Sequence, residues 1–495
     1  MINQDLYCDS CQHEIETELS PVQETIPDIM WQFKTKPWDH QMKALNFAYN
    51  KLRTILAVAM GGGKTKIAID LIVNRGHKKI LIVCPKKVIE VWPDEIIKHA
   101  PDNTNFHVVC LDQEGVEKKI IKLNQALSFH EHLKTMNLVV IINYESARLG
   151  DMADALLDAK FNLIIADECH KLKTPSSSTT KFFIKLAKQK AHMLGLTGTL
   201  MADKPFDIYA QFKVFDDSIF GTNFTNFKMR YALWDITSKF PRVLKYINQD
   251  EMMQKARKIA YFVENDVLDL PEKVDIIYRC DLSPAARLIY KKLDKEFYAE
   301  LKDSEITIKN AGAKLTKLLQ ITSGFVNDDD KHAQDIDFSK RELLKDVLQD
   351  FDLREPLVIF CLYTHNIAAV KKIVVESGRS VSELSGKSNQ LKEWQDGKSD
   401  VIVVQIQCGG AGISLVRAKY NIDYSVGHAL VDFEQSRART RRPGQQSDTV
   451  TYIHLIARGT VEERVYKALS NKRNAIDYMK ELVLNGQRIG ELENE

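Results

Sequence analysis

The run Gly61-Gly62-Gly63-Lys64-Thr65 constrains this chain more than any other feature. It follows an apolar stretch, Ile55 to Met60, and precedes apolar residues at helical spacing, Ile67, Ala68, Leu71 and Ile72. That order predicts a buried strand, a glycine turn and the first turn of a helix. Such a loop aims backbone N–H groups at one spot, where the positive end of the helix favours phosphate oxygens. Lys64 would meet the β- and γ-phosphates, and Thr65 would hold Mg²⁺ through its hydroxyl. The general pattern asks for glycine at position 58, where this chain has Val58. Taken alone, the loop also reads as a glycine turn with no ligand.

A second stretch narrows the choice. Leu163-Ile164-Ile165-Ala166 leads into Asp167-Glu168-Cys169-His170. A short apolar run of this kind predicts a buried parallel strand with two carboxylates at its carboxyl end. Asp167 would complete the Mg²⁺ shell, and Glu168 would orient or deprotonate water. An exposed acidic pair at a strand end is the bland alternative. The pairing with the upstream glycine loop selects an ATP-hydrolysing site, with ATP and Mg²⁺ as its ligands.

At 495 residues the chain is long enough for two or three cores. Its 44% hydrophobic and 27% charged content is that of a globular protein, and no apolar run approaches the length of a bilayer span. The N-terminus is polar and acidic, with Asp5, Asp9, Glu14, Glu16 and Glu18, so it reads as neither a signal nor a transit peptide. The expected location is the cytoplasm of a bacterium or phage-infected cell, or the nucleoplasm of a eukaryote. A net charge of +2 gives no bulk attraction for nucleic acid, so any polyanion site must come from local placement of Lys and Arg. The eight cysteines are scattered, several inside strand-like runs, as free thiols in a reducing compartment would be. Cys8, Cys11 and His13 have the spacing that opens a zinc site, but no second ligand pair follows nearby. The segment is read as a polar tail, not a zinc site.

Residues 34–215 alternate apolar runs with helical patterns. The runs are Thr54–Ala59, Lys79–Cys84, His107–Leu111, Leu138–Asn143, Asn162–Asp167 and His192–Thr197. A second alternating block, 336–480, has runs at Pro356–Leu362, Ser380–Leu384, Val401–Ile406, Tyr420–Tyr424 and Val450–Ile456. Each block predicts an α/β layer structure with a parallel sheet. Residues 216–335 between them are richer in Lys, Asp, Tyr and Phe and have helical spacing at Tyr290, Leu293 and Phe297, so a helical insert and linker is expected there. Residues 1–33 and 481–495 are read as tails.

The third constellation is Gln435-Ser436-Arg437-Ala438-Arg439-Thr440-Arg441-Arg442-Pro443-Gly444. An arginine run is commonly a solvated face. Here the spacing predicts Gln435, Arg439 and Arg442 on one face of a helix. In a two-lobed ATPase such arginines reach across the cleft to the transferred phosphoryl group.

Taken in order, these motifs resemble superfamily-two helicases, and within them the Swi/Snf type of DNA-translocating ATPase, over about residues 36–475. The resemblance implies two RecA-like lobes. Pro37-Trp38-Asp39-His40-Gln41 looks like the adenine-sensing Q-motif, with Gln41 the expected adenine contact. Val83-Cys84-Pro85-Lys86-Lys87 with Trp92 and Glu95 is similar to motif Ia, and Ile142-Asn143-Tyr144-Glu145 to motif Ib. Lys86, Lys87 and Asn143 are thereby the expected DNA contacts. Leu196-Thr197-Gly198-Thr199 resembles motif III, and Cys408-Gly409-Gly410-Ala411-Gly412 resembles motif V. Thr197, Thr199, Gly410 and Gly412 would then couple the ATP site to DNA. The most discriminating piece is Leu270-Pro271-Glu272-Lys273, then Leu282-Ser283-Pro284 and Tyr290, which looks like the Swi/Snf linker. Gly459-Thr460-Val461-Glu462-Glu463 matches the family's closing segment. The chain departs from the family pattern at Val58-Ala59, at Gln405-Ile406-Gln407, and at Ala438 and Arg441.

The resemblance implies a DNA-dependent ATPase that tracks along double-stranded DNA. The alternative is a strand-separating or branch-migrating helicase on forked or junction DNA, in which Phe220, Phe224, Phe227, Tyr231 and Trp234 would stack on bases, although the plainer reading of these rings is that they pack a helical subdomain. A third reading, an ATP-gated nucleic-acid-binding protein, sits poorly with the full set of catalytic residues.

Overall fold

The structure is a computed structural model that describes residues 30–479 apart from 113–114, 202–203, 236–241, 264–267, 269, 303–307, 328–331, 409–412 and 477. Every apolar run singled out above is a strand, shifted by a residue or two at most. The body from Phe33 onward carries two α/β lobes. The Cys8, Cys11 and His13 cluster lies outside the described residues.

In the first lobe the strands are β1 (Arg53–Val58), β2 (Lys79–Cys84), β3 (Phe106–Cys110), β4 (Asn137–Asn143), β5 (Leu163–Asp167) and β6 (His192–Thr197). A hairpin of β7 (Ala232–Asp235) and β8 (Arg242–Tyr246) follows, then β9 (Ala260–Val263). Among the described residues the sheet has seven strands in the order β3-β4-β2-β5-β6-β1-β9, all parallel. Ile55, Leu56, Ile80, Leu81, Ile82, Val140 and Ile164 are fully buried. Continuous burial on both faces is what a helix-covered parallel sheet demands, and it is why these runs lack alternation.

The second lobe is built on β10 (Glu272–Cys280), β13 (Leu357–Cys361), β14 (Val381–Leu384), β15 (Val401–Gln405), β16 (Tyr420–Asp423) and β17 (Thr449–Ala457). They form a parallel sheet in the order β10-β17-β16-β13-β15-β14. Between β10 and β13 a short antiparallel pair joins β11 (Phe325–Asn327) to β12 (Ala333–Asp335).

The expectation that 216–335 is a helical insert needs correction. The stretch does hold two long helices, Pro284–Lys302 and Ile308–Thr322, but it also lends one edge strand to each sheet. β9 pairs with β1, and β10 pairs with β17 along nine residues. An edge strand has one neighbour, so β10 stays largely half-exposed and its polar residues hide the apolar pattern. The linker helices pack through Tyr290, Phe297, Leu315, Leu318 and Leu319 onto Val461, Val465 and Leu469 of the closing helix Val461–Ser470. The Tyr290 hydroxyl accepts the Val461 N–H at 2.7 Å, which gives the signature tyrosine its task.

The insert aromatics pack together, as the plainer reading of them expects: Phe227 and Tyr231 are buried, and Phe220, Phe224 and Trp234 are half-buried. Phe220, Phe224, Phe227 and Tyr231 pack against one another and against Tyr209 and Phe212 at ring distances of 4.8–6.3 Å. Trp234 stacks on Phe206 at 6.0 Å. No helix among the described residues is long and apolar enough to cross a membrane.

Candidate active site

Three neighbouring strands set the site. The order β5-β6-β1 places the carboxyl ends of all three in a row, with Ala57 beside Thr197 and Asp167 beside Leu196. The chain thus presents the glycine loop, the motif III threonines and the carboxylate pair side by side.

The loop needs its glycines for distinct reasons. Gly61 and Gly63 have φ of +84° and +79°, a region costly for other residues. A Cβ on Gly62 would lie 2.5 Å from Val58 Cγ1, so glycine is required there because position 58 carries a side chain. A Cβ on Gly63 would fall 2.2 Å from Gln41 Nε2. Gln41 is buried, donates to the Gly62 carbonyl at 3.2 Å and accepts the Trp38 N–H at 2.9 Å. His40 donates through Nε2 to the same carbonyl at 2.9 Å. Gln41, expected at adenine, therefore braces the phosphate loop from behind. Lys64 opens the helix Lys64–Asn74, and its Nζ donates to the Val58 carbonyl at 3.2 Å.

Asp167 and Glu168 are both buried. The Trp92 indole N–H donates to Asp167 Oδ2 at 3.2 Å, and the Tyr144 hydroxyl donates to the Asp167 carbonyl at 2.8 Å. Burial, and then the Glu168 charge, pushes the Asp167 carboxyl above its usual range against the opposing charge of Lys64. A cation bound there reverses that direction. Glu168 sits at φ 56°. Burial pushes it up too, but the hydrogen bond from His170 and the charges of Lys64 and Arg439 prevail and hold it below the ordinary carboxylate value. The two carboxylates are thus driven apart, one toward the protonated form and one toward the anion. His170 Nδ1 lies 3.1 Å from Glu168 Oε2 and 3.3 Å from Thr197 Oγ1, bridging the carboxylate to the end of β6. Thr197 in turn donates to the Thr199 carbonyl at 3.0 Å. Gly410 and Gly412 lie outside the described residues.

The second lobe supplies the facing wall, with one correction. The helix Leu430–Arg437 ends before Arg439 and Arg442, so only Gln435 is helical. Pro443 lacks an N–H and disfavours helix in the residue before it, and the chain leaves as a turn. The turn does what a helix face was expected to do. Gln435, Arg439 and Arg442 line one cavity with Gly61, Gly63, Lys64, Thr65, Asp167 and Glu168. Arg439 is 6% exposed, and its Nε has no hydrogen-bond partner among the described residues. Burial, with Arg442 adding, lowers its pKa from 12.5 to about 10, opposed by Glu168. A buried guanidinium whose Nε is unpartnered, facing a phosphate loop, is the chemistry of an anion site, so these residues fit ATP. Thr65 and Asp167, in the same cavity, are the groups that fit Mg²⁺. Arg442 Nη1 donates to the Ile413 carbonyl at 3.0 Å, and Arg441 Nε donates to the Pro271 carbonyl at 2.7 Å.

The expected DNA contacts separate. Lys86 and Lys87 are exposed in the turn after β2. Lys87 Nζ donates to the Gln407 carbonyl at 2.9 Å, a link between the lobes. Asn143 is buried and its amide donates to Glu145 Oε2 at 2.9 Å, which removes it from the surface. The tasks of His40, Trp92 and His170 were missed. Each stands inside a motif already singled out, and a buried polar side chain beside a catalytic one is the signal that would have marked it.

The family model for the SNF2-related domain matches residues 40–330. The chain is 23% identical over 449 residues to an uncharacterized ATP-dependent helicase of Mycoplasma genitalium, covering 86% of this chain and 40% of that protein. It is 24% identical over 506 residues to the CHD3-type chromatin-remodeling factor PICKLE of Arabidopsis thaliana, covering 92% of this chain and 35% of that protein. The chain therefore spans well under half the length of these relatives. Among solved structures, the Sulfolobus solfataricus SWI2/SNF2 ATPase core in complex with dsDNA aligns over 94% of this chain and 99% of that one, at 20% identity and a TM-score of 0.42. On the family match, which takes in more than half of the sequence, the chain belongs to the SNF2-related family of helicase-like ATPases.

Proposed function

We propose that the chain is a motor that couples ATP hydrolysis to translocation along double-stranded DNA. The observation that carries this reading is the meeting, in one cavity, of Glu168 from the first lobe and Arg439 from the second. Hydrolysis then requires the lobes to be closed, which ties each turnover to a relative movement of the two halves.

Lys64 would offset the β- and γ-phosphate charge, and Thr65 and Asp167 would hold Mg²⁺. When bound, Mg²⁺ supplies further charge neutralisation at the phosphates. Glu168, kept anionic by His170 and Lys64, orients the attacking water and accepts its proton. Arg439 already bears its desolvation cost in the folded protein, so it meets charge developing on the transferred phosphoryl group with little reorganisation. Arg442 stands beside it as the second cation. The contact from Glu168 through His170 to Thr197 and Thr199 carries the state of the site to the end of β6.

Duplex DNA as the track is supported by the linker signature at Leu270-Pro271-Glu272-Lys273 and by the chromatin-remodelling role of the plant relative. The packing of the insert aromatics on one another supports the duplex motor over strand separation on forked DNA. A DNA motor works where DNA is, in bacterial cytoplasm or in nucleoplasm.

The test is steady-state ATP hydrolysis without nucleic acid and with single-stranded, duplex and forked DNA, with the Lys64→Ala variant as the blank. Stimulation by plain duplex, together with displacement of a third strand from a triplex, is the expected result. Stimulation confined to forked or single-stranded DNA refutes the duplex motor.

A further inference from the structure

The arginines at 437, 439, 441 and 442 reach two different places. Arg439 and Arg442 line the ATP cavity, whereas Arg437 and Arg441 are not among the described residues that line it. Arg441 turns to the Pro271 carbonyl, and Arg437 turns to Asp275 on β10, the strand that opens the second lobe. One pair faces the phosphates, and the other holds the chain where it enters the second sheet.

Arg437 is buried, and both its side chain and its backbone are fixed. The guanidinium lies over the rings of Phe433 and Tyr452, 4.3 and 4.6 Å from their centroids. Its Nη2 donates to Asp275 Oδ1 and stands 3.1 Å from His454 Nε2. Lys273 Nζ meets the other carboxylate oxygen of Asp275 at 3.0 Å. Burial pushes the Asp275 carboxyl up, but the hydrogen bond from His454 and the charge of Arg437 outweigh it and hold the group below its usual range. Asp275 is therefore an anion, and the bond to Arg437 is a charge-assisted one. On the backbone side, the Arg437 carbonyl accepts the Tyr452 hydroxyl at 2.8 Å and the Arg441 N–H at 3.2 Å. Arg437 is also the last residue of the helix Leu430–Arg437, so the direction in which the chain leaves toward Arg439 is set at this residue.

We propose that Arg437 is a positioning residue for hydrolysis, which through Asp275 fixes the turn that aims Arg439 and Arg442 and ties that aim to the place of β10. The proposal rests on the reading of Arg439 as the arginine that meets the transferred phosphoryl group, and deepens it. Arg437 itself stays away from the nucleotide. A shift of β10 then reaches the phosphate-facing arginines through a charge pair, and not through the sheet alone.

The experiment measures steady-state hydrolysis with saturating duplex DNA, titration with a fluorescent non-hydrolysable ATP analogue, and thermal unfolding on the full chain. The variants are Arg437→Met, Arg437→Lys, Asp275→Asn, the double variant of Arg437→Met with Asp275→Asn, and Arg439→Met. In Arg437→Met kcat should fall about ten- to a hundredfold, the scale of a reacting group misplaced by about 1 Å, while analogue affinity stays near that of the wild type. Asp275→Asn should show the same split, and it decides the matter if Arg437→Met does not fold. The double variant should lose no more than the worse single one, as residues that act together do. Arg437→Lys, which keeps the charge, should recover part of kcat. Unchanged kcat in Arg437→Met beside a crippled Arg439→Met overturns the positioning role and leaves the reading of Arg439 standing. Losses that multiply in the double variant, or affinity that falls in step with kcat, also overturn it. Undiminished kcat in Arg439→Met refutes that reading itself, and the role of Arg437 falls with it.

Discussion

Replacing Arg439 by Met should have opposite effects on turnover and on stability. The guanidinium is 6% exposed, its Nε lacks a partner among the described residues, and its pKa falls from 12.5 to about 10, chiefly through burial. At about 1.4 kcal/mol for each tenfold change, that depression corresponds to about 3 kcal/mol spent on keeping the group charged. The sign follows from linkage. A base whose folded pKa is lowered destabilises the fold at every pH below the folded value, so the cost is fully present at neutral pH and fades only as pH rises from about 10 toward 12.5. Met keeps the apolar stem of the side chain and removes the charge. The nucleotide-free variant should therefore be more stable than the wild type by roughly 1–3 kcal/mol, after allowing for lost attraction to Glu168. Hydrolysis should fall by roughly 10³–10⁵, the contribution of an arginine finger. Thermal unfolding without nucleotide gives the first number, and steady-state hydrolysis with saturating DNA gives the second. A variant that is less stable than the wild type refutes the reasoning, because the guanidinium would then be satisfied in the folded state.

Gly63→Ala should weaken ATP-analogue binding at least tenfold with the fold retained, read by fluorescence titration. Its left-handed φ costs about 1–2 kcal/mol for any other residue, and the new Cβ must push the Gln41 amide off the Gly62 carbonyl. Lys87→Ala should lower DNA-stimulated hydrolysis yet leave the salt dependence of duplex binding unchanged, since Nζ is engaged by Gln407. A log–log slope reduced by about one would make Lys87 a phosphate contact instead. His454 lies 2.9 Å from both Asp275 and Asp423, beside Arg437 and Tyr466. Burial lowers its pKa, but the two carboxylates outweigh that and raise it. A raised folded value means stability present below about pH 6.5 and lost as pH climbs through the raised pKa. The thermal midpoint should fall over that window in the wild type, and not in His454→Gln.

The central strands were legible because residues such as Ile80, Leu81 and Ile82 are buried on both faces, and a parallel sheet writes that burial as an unbroken apolar run. The glycine loop and the carboxylate pair were legible because their chemistry is local in sequence. What stayed hidden is set by partners far along the chain. β10 is polar and half-exposed, and only its pairing with β17 makes it a strand. Gln435, Arg439 and Arg442 do converge, but through a turn that helical spacing cannot describe. Trp92 meets Asp167 across 75 residues, and Asp275 meets His454 across 179. No periodicity in either segment encodes those meetings. Asn143 was misplaced for the converse reason, since a motif position says nothing of which way an amide turns.

Val263 ends the edge strand of one sheet, and Glu272 begins the edge strand of the other. Eight residues of sequence separate them, a length of chain that can span roughly 30 Å at most. Both of its ends are stitched into sheets and cannot lengthen it by fraying. Its last residue before Glu272, Pro271, is also hitched to Arg441, on the turn that carries Arg439 and Arg442. Parting the lobes therefore tugs on the same turn that reaches the phosphates. The length of chain between Val263 and Glu272 thus bounds how far the two halves travel in a cycle, and the hydrogen bond from Arg441 to Pro271 sits at one end of it.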